Sequence, residues 1–106
     1  MADELKEITV IEARDLLRSK DTIQTIDVRS PKEFEKGSLE GAINIPLNHI
    51  SREIHAINPN LPTLLICNDG STSQRALTLL EACDFKAQVI RGGLQDWTKV
   101  IGSPFE

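Results

Sequence analysis

The chain is poor in cysteine and aromatic side chains, and it contains no long apolar run. Its two cysteines, Cys67 and Cys83, are too few for a disulfide scaffold, and a reducing compartment would keep both as thiols. No apolar stretch approaches the roughly 18 residues of a membrane-spanning helix. The stretch from Met1 to Val10 lacks the basic-then-apolar order of a secretion signal. These absences predict a cytoplasmic protein that makes no membrane contact. Basic charge is not in excess either. Twelve Lys and Arg face 16 Asp and Glu, for a net charge of −4, and the signs are mixed along the chain. That balance argues against direct binding of nucleic acid. His49 and His55 have no metal-ligand spacing, and no cysteine or acidic cluster joins them, so no metal site is expected and both are read as surface residues. No repeat, low-complexity segment or linker divides the sequence.

What is present reads as one ordinary globular domain over residues 1–106, with 40% hydrophobic and 26% charged residues. Candidate strands and helices alternate. "EITV", "TIQTIDV", "GAINIP", "PTLLI" and "AQVI" read as strands. "IEARDLLRS" places Ile11, Leu16 and Leu17 on one helical face. Pro31 opens a short helix that Gly37 closes. "LNHISREIHAI" spaces Leu47, Ile50, Ile54 and Ile57 as an amphipathic helix. "STSQRALTLLEACDF" puts Ala76, Leu79, Leu80 and Cys83 on one stripe, which makes Cys83 a packing residue. "GGLQDWTKVI" begins a last helix, with Trp97 as a core anchor. The alternation predicts an α/β fold with a mainly parallel sheet.

In such a fold the functional loops lie at the carboxyl ends of the strands. Cys67 sits at that end of the continuous apolar run "PTLLI". "NDGST" follows, and then a helix. Successive N–H groups of such a loop can curl into an anion-binding nest. Nest and helix dipole together would favour a negative sulfur. The plainer alternative is that Ser71 or Thr72 caps the helix and Cys67 is a small core residue. The pattern by itself leaves both open.

Three segments, in order, carry a resemblance: "IDVRSPKEFEKGSLEGAINIP", "CNDGSTS" and "RGGLQDW". Together they resemble single-domain rhodaneses, the thiosulfate sulfurtransferase-like family. The resemblance implies a five-stranded, mainly parallel sheet with helices on both faces, and transfer of a sulfane sulfur through a cysteine persulfide. It makes Cys67 the nucleophile, with Asn68, Asp69, Gly70, Ser71, Thr72 and Ser73 as the substrate-binding loop. It makes Arg29 a contact for the anionic part of a donor. Asp27, Gly41, Ala42, Asn44 and Pro46 match architectural positions, as do Gly92 and Gly93. The implied donor is small, such as thiosulfate or a persulfide. The acceptor is cyanide or a thiol, with a sulfur-carrier or desulfurase protein as a partner. Neither metal nor organic cofactor is implied beyond the covalent persulfide.

The sequence also departs from the pattern. Where relatives often carry basic or neutral loop residues ending in Arg-Ser, this loop has Asp69 and ends in Thr72-Ser73. A carboxylate near the sulfur would oppose anionic charge and weaken the use of dianionic thiosulfate. Ser38 stands where relatives often have His, which predicts a lost hydrogen bond near the sheet. Arg75 reads as a solvated surface residue. Two rival functions stand beside sulfur transfer. A phosphatase or arsenate reductase would need Arg after five intervening residues to clamp its oxyanion, and that position is Ser73. A non-catalytic binding module commonly lacks the Cys, which is present here.

Overall fold

The computed structural model describes residues 6–19 and 21–103. The first half of the stretch read for a secretion signal, residues 1–5, lies outside the described residues. The elements alternate in chain order. They are β1 (Glu7–Ile8), α1 (Val10–Arg18), β2 (Gln24–Asp27), α2 (Pro31–Glu35), β3 (Ile43–Asn44), β4 (Thr63–Ile66), α3 (Ser71–Ala82), β5 (Gln88–Ile90) and α4 (Gly93–Val100). The strands form one five-stranded sheet in the order β1-β5-β4-β2-β3, and every pair is parallel. Parallel strands covered on both faces are near-continuous apolar runs. β4, all of whose residues are buried, meets that demand with "TLLI".

Alternation along β4 sets the two faces. Leu65 and Cys67 point to one side, where they pack with Ile26, Val28, Val89 and the α3 residues Ala76, Leu77 and Leu80. Leu64 and Ile66 point to the other side, against Val10 and Ala13 of α1 and Leu94 and Trp97 of α4. Trp97 is the expected anchor.

Local rules fix the helix starts. Thr9 with Glu12, and Ser30 with Glu33, form reciprocal capping boxes at α1 and α2. Pro31 occupies the first turn of α2, and Gly37 beyond its end has a positive φ of 129°.

Several expectations give way. The amphipathic helix over Leu47 to Ile57 is instead two three-residue 3-10 helices, Leu47–His49 and Ile54–Ala56. Ile50 and Ile57 still reach the core, so the apolar spacing is satisfied by tight turns. On α1 the buried residues are Val10 and Ala13, while Ile11 and Leu16 are exposed. The α3 stripe is Ser73, Ala76, Leu77 and Leu80. Leu79 is half exposed and Cys83 is exposed at the helix C-cap, because α3 ends at Ala82 before the stripe comes round again. Cys83 is therefore a helix-end residue and not part of the core. Among the described residues, no helix is long and apolar enough to cross a membrane.

Candidate active site

The sheet order places a topological switch between β2 and β4. From β2 the chain moves outward to β3, and from β4 it moves the other way to β5. The carboxyl ends of those two strands frame the crevice where parallel α/β sheets bind ligands. After β2 come Val28 and Arg29. After β4 come Cys67 and Asn68.

Cys67 is 1% exposed. Its Sγ accepts two backbone hydrogen bonds, from Gly70 N–H at 3.1 Å and Ser73 N–H at 3.3 Å. Both donors belong to the turn that opens α3. Gly70 is the N-cap residue with φ of 98°, a left-handed conformation that costs glycine little. The loop therefore bends back over the sulfur. Neither Ser71 nor Thr72 caps the helix, which corrects that expectation. Asp69 serves the first turn instead. Its Oδ1 accepts from Ser71 N–H at 2.9 Å and from Ser71 Oγ at 2.7 Å. These bonds, the backbone one foremost, hold the exposed Asp69 carboxyl below its ordinary range.

A second helix end fixes the loop from the opposite side. Leu94 N–H donates to Cys67 O at 2.8 Å, and Gln95 N–H donates to Asn68 O at 2.9 Å. The head of α4 thus holds the carbonyls on one side of the loop while N–H groups face the sulfur on the other. Gly93 makes this approach possible. A Cβ there would stand 2.3 Å from Cys67 O and 2.7 Å from the carbonyl carbon of Asn68.

Arg29 is 8% exposed and turned towards its own strand. Its Nε donates to Asp27 Oδ1 at 3.0 Å, its Nη2 to Asp27 Oδ2 at 2.8 Å, and Nη2 also to Gly37 O at 2.7 Å. Only Nη1 looks towards the loop, 3.5 Å from Asn68 Oδ1. Asp27, fully buried, also accepts from Ser38 Oγ at 2.6 Å. Ser38 therefore makes a hydrogen bond at the sheet, contrary to the loss expected from a serine in that place. Asn44 completes the network by donating Nδ2 to the carbonyls of Asp27 and Arg29.

The sequence did not point to Glu33 as a neighbour of the loop. Its Oε2 accepts from Asn68 Nδ2 at 2.7 Å, while Oε1 faces Ser30. The Asn68 bond is the largest cause holding the Glu33 carboxyl below its usual range. The spacing Ser30-x-x-Glu33 marked its capping role, but the Asn68 contact spans 35 residues and has no local signature. The structure gathers Cys67, Asn68, Gly70 and Ser73 around or beside the sulfur and brings Arg29 to the loop's edge. Asp69 and Ser71 pair on the exposed rim. His49 pairs with Glu53 at 3.6 Å, His55 is exposed, and neither is part of this cluster.

Chemically, the site offers an enclosed sulfur, two N–H donors aimed at it and a helix N-terminus behind them. Such an arrangement favours an anion on that sulfur or on an atom bonded to it.

The rhodanese-like domain family matches residues 9–100. The thiosulfate sulfurtransferase GlpE of Pseudomonas putida is 30% identical over 82 residues, covering 76% of this chain and 74% of that protein. YrkF of Bacillus subtilis is 28% identical over 92% of this chain, which spans only 53% of YrkF, about half its length. The crystal structure of a rhodanese-like domain protein from Staphylococcus aureus superposes with a TM-score of 0.83 at 29% identity, covering 88% of this chain and 91% of that one. A match that runs from the cap of the first helix to the end of the last leaves one reading of descent: the chain belongs to the family of rhodanese-like domains.

Proposed function

We propose that the protein is a sulfurtransferase that carries a sulfane sulfur as a persulfide on Cys67. The observation that carries this reading is the Cys67 sulfur, buried at a strand end and met by the N–H groups of Gly70 and Ser73. The name of the Pseudomonas relative supports the same class of reaction.

The chemistry needs only the chain and two substrates. The Cys67 thiolate attacks the sulfane sulfur of a donor. The new Sγ–S bond forms as the donor's bond to that sulfur breaks, and its electron pair leaves with sulfite when the donor is thiosulfate. Cys67 then bears a terminal S⁻. An acceptor thiolate or cyanide attacks that outer sulfur and restores the Cys67 thiolate. The N–H donors stabilise the anion in each stage, and loss of one comparable donor elsewhere costs about 3–4 kcal/mol. Neither metal nor organic cofactor enters these steps. The donor class is a small sulfane-sulfur compound or a protein persulfide, and the acceptor class includes a thiol on a sulfur-carrier or desulfurase protein. A reducing cytoplasm suits both thiols.

Ser73 disfavours the phosphatase alternative. It occupies the place of the oxyanion-clamping arginine, and it is fully buried.

Intact mass after incubation with thiosulfate, mercaptopyruvate or a persulfide-charged cysteine desulfurase tests the proposal. One donor should add a single sulfur that cyanide removes. Cys67→Ser should take none, and Cys83→Ser should take most of the wild-type amount. Loading that survives Cys67→Ser, or fails in folded Cys83→Ser, would sink the single-thiol mechanism.

A further inference from the structure

Among the described residues, one buried side-chain oxygen or nitrogen has no hydrogen-bond partner, and it is Ser73 Oγ. The residue is fully buried. A buried hydroxyl left unpaired is costly and rare in native proteins, so its presence calls for a use. Its position supplies one. Ser73 stands on the α3 stripe with Ala76, Leu77 and Leu80, the face turned towards the sheet. Ala76, Leu77 and Leu80 pack in the same cluster as Cys67. The Ser73 N–H already donates to Cys67 Sγ. Ser73 therefore carries an N–H on the sulfur and a buried hydroxyl on the helix face that covers the Cys67 side of the sheet.

Three other polar side chains of the site are committed elsewhere. Arg29 is held by Asp27 and Gly37, Asp69 by Ser71, and Asn68 by Glu33. The two backbone donors already point at the sulfur of the thiol, so part of their stabilisation is present before any charge forms. A donor unpaired in the first state and paired in the second contributes only to the second, which is the differential stabilisation that accelerates a step.

We propose that the Ser73 hydroxyl is a catalytic hydrogen-bond donor, unpaired while Cys67 is a thiol and engaged once its sulfur is anionic, first as thiolate and then as the terminal sulfur of the persulfide. The side chain turns about its Cα–Cβ bond, which moves the oxygen itself, to meet that charge. It keeps its proton, since the thiol proton is released to solvent before Sγ attacks the donor. The persulfide half of this role rests on the sulfur-transfer reading, and the thiolate half does not.

The test is Ser73→Ala in a Cys83→Ser background, so that alkylation reports Cys67 alone. Three measurements are made: the pH of half-maximal iodoacetamide reactivity, the Tm of the reduced protein, and the persulfide fraction at equilibrium with glutathione and its persulfide. A hydrogen bond to a charged group predicts that the reactivity midpoint rises by about one pH unit. The persulfide fraction should fall about tenfold relative to thiol. The Tm of the thiol form should drop by no more than about 2 °C, because no bond is removed from it. Ser73→Thr, which keeps the hydroxyl, should restore the midpoint even where its extra methyl lowers Tm. An unmoved midpoint overturns the proposal. So does a Tm loss of about 6 °C or more with unaltered reactivity, which would make the hydroxyl a structural group. If the midpoint shifts but no donor loads the wild type, the donor role of Ser73 stands and the sulfur-transfer reading falls.

Discussion

Asp69 puts a negative charge on the rim of a site built to receive anions. Its carboxylate faces Ser71 and holds the first turn of α3. The folded-state carboxyl ionises below the ordinary 3.8, so its contribution is complete above that value and is lost only as pH falls through the lowered one. At neutral pH the charge is fully present and screened by solvent. Asp69→Asn keeps an oxygen for the Ser71 N–H and removes the charge. Steady-state kinetics should show kcat/KM for thiosulfate rising about threefold at low salt, the size of effect that one exposed like charge has over a separation of about 6 Å in water. The gain should vanish near 1 M salt, where screening reaches about 3 Å. If the rate does not respond at any salt, the Asp69 charge has no part in donor choice, and thiosulfate use is set elsewhere.

At the scale of elements, the loop is a product of two helix ends. α3 supplies donors to the sulfur, and α4 takes up the carbonyls of Cys67 and Asn68. The contact tolerates only glycine at residue 93, where φ is 59° and backbone atoms of the loop leave no room for Cβ. Gly93→Ala must therefore push α4 away from the loop. Sulfur transfer should fall at least a hundredfold, and Tm should drop by about 5–15 °C, as expected for a forced left-handed alanine plus a backbone clash. Circular dichroism with a rhodanese assay separates the two losses. A variant with wild-type activity would show that the α4 clamp does not hold the loop in shape.

For the molecule as a whole, the Asp27–Arg29 pair is a buried ion pair at the carboxyl end of β2. The side chains are 0% and 7% exposed. Removing one partner of a buried, hydrogen-bonded pair strands the other charge, at a cost of about 3–5 kcal/mol. Arg29→Ala should lower Tm by at least about 10 °C and destabilise the protein before any effect on KM is readable. Asp27→Asn combined with Arg29→Met should recover part of that loss, since neither leaves a buried ion. Thermal unfolding of the single and double variants decides it. An Arg29→Ala protein with unchanged Tm and a raised KM for an anionic donor would make Arg29 a donor contact, as its sequence match implied, and not a structural ion.

Sequence by itself determined the repeating strand–helix order, because each parallel strand must be apolar and each crossover must bury one stripe. It also placed Cys67 at a strand end ahead of a glycine turn and a helix, since those signals are local. The capping residues Thr9 and Ser30 and the first-turn Pro31 are local in the same sense. What depended on residues distant in the chain was decided only by tertiary structure. Leu47, Ile50, Ile54 and Ile57 carry helical spacing, yet tight turns satisfy the same burial. Arg29 reads in sequence as a free guanidinium, yet the fold turns its Nε and Nη2 to Asp27, because a buried carboxylate there has no water to fall back on, and leaves Nη1 towards the loop. Cys83 lies on the helical stripe in sequence, yet α3 ends one residue before it and leaves it exposed. Ser73 reads in sequence as a loop polar residue. Folding alone buries its hydroxyl and leaves it without a partner, because the α3 face that carries it is the face the sheet must cover.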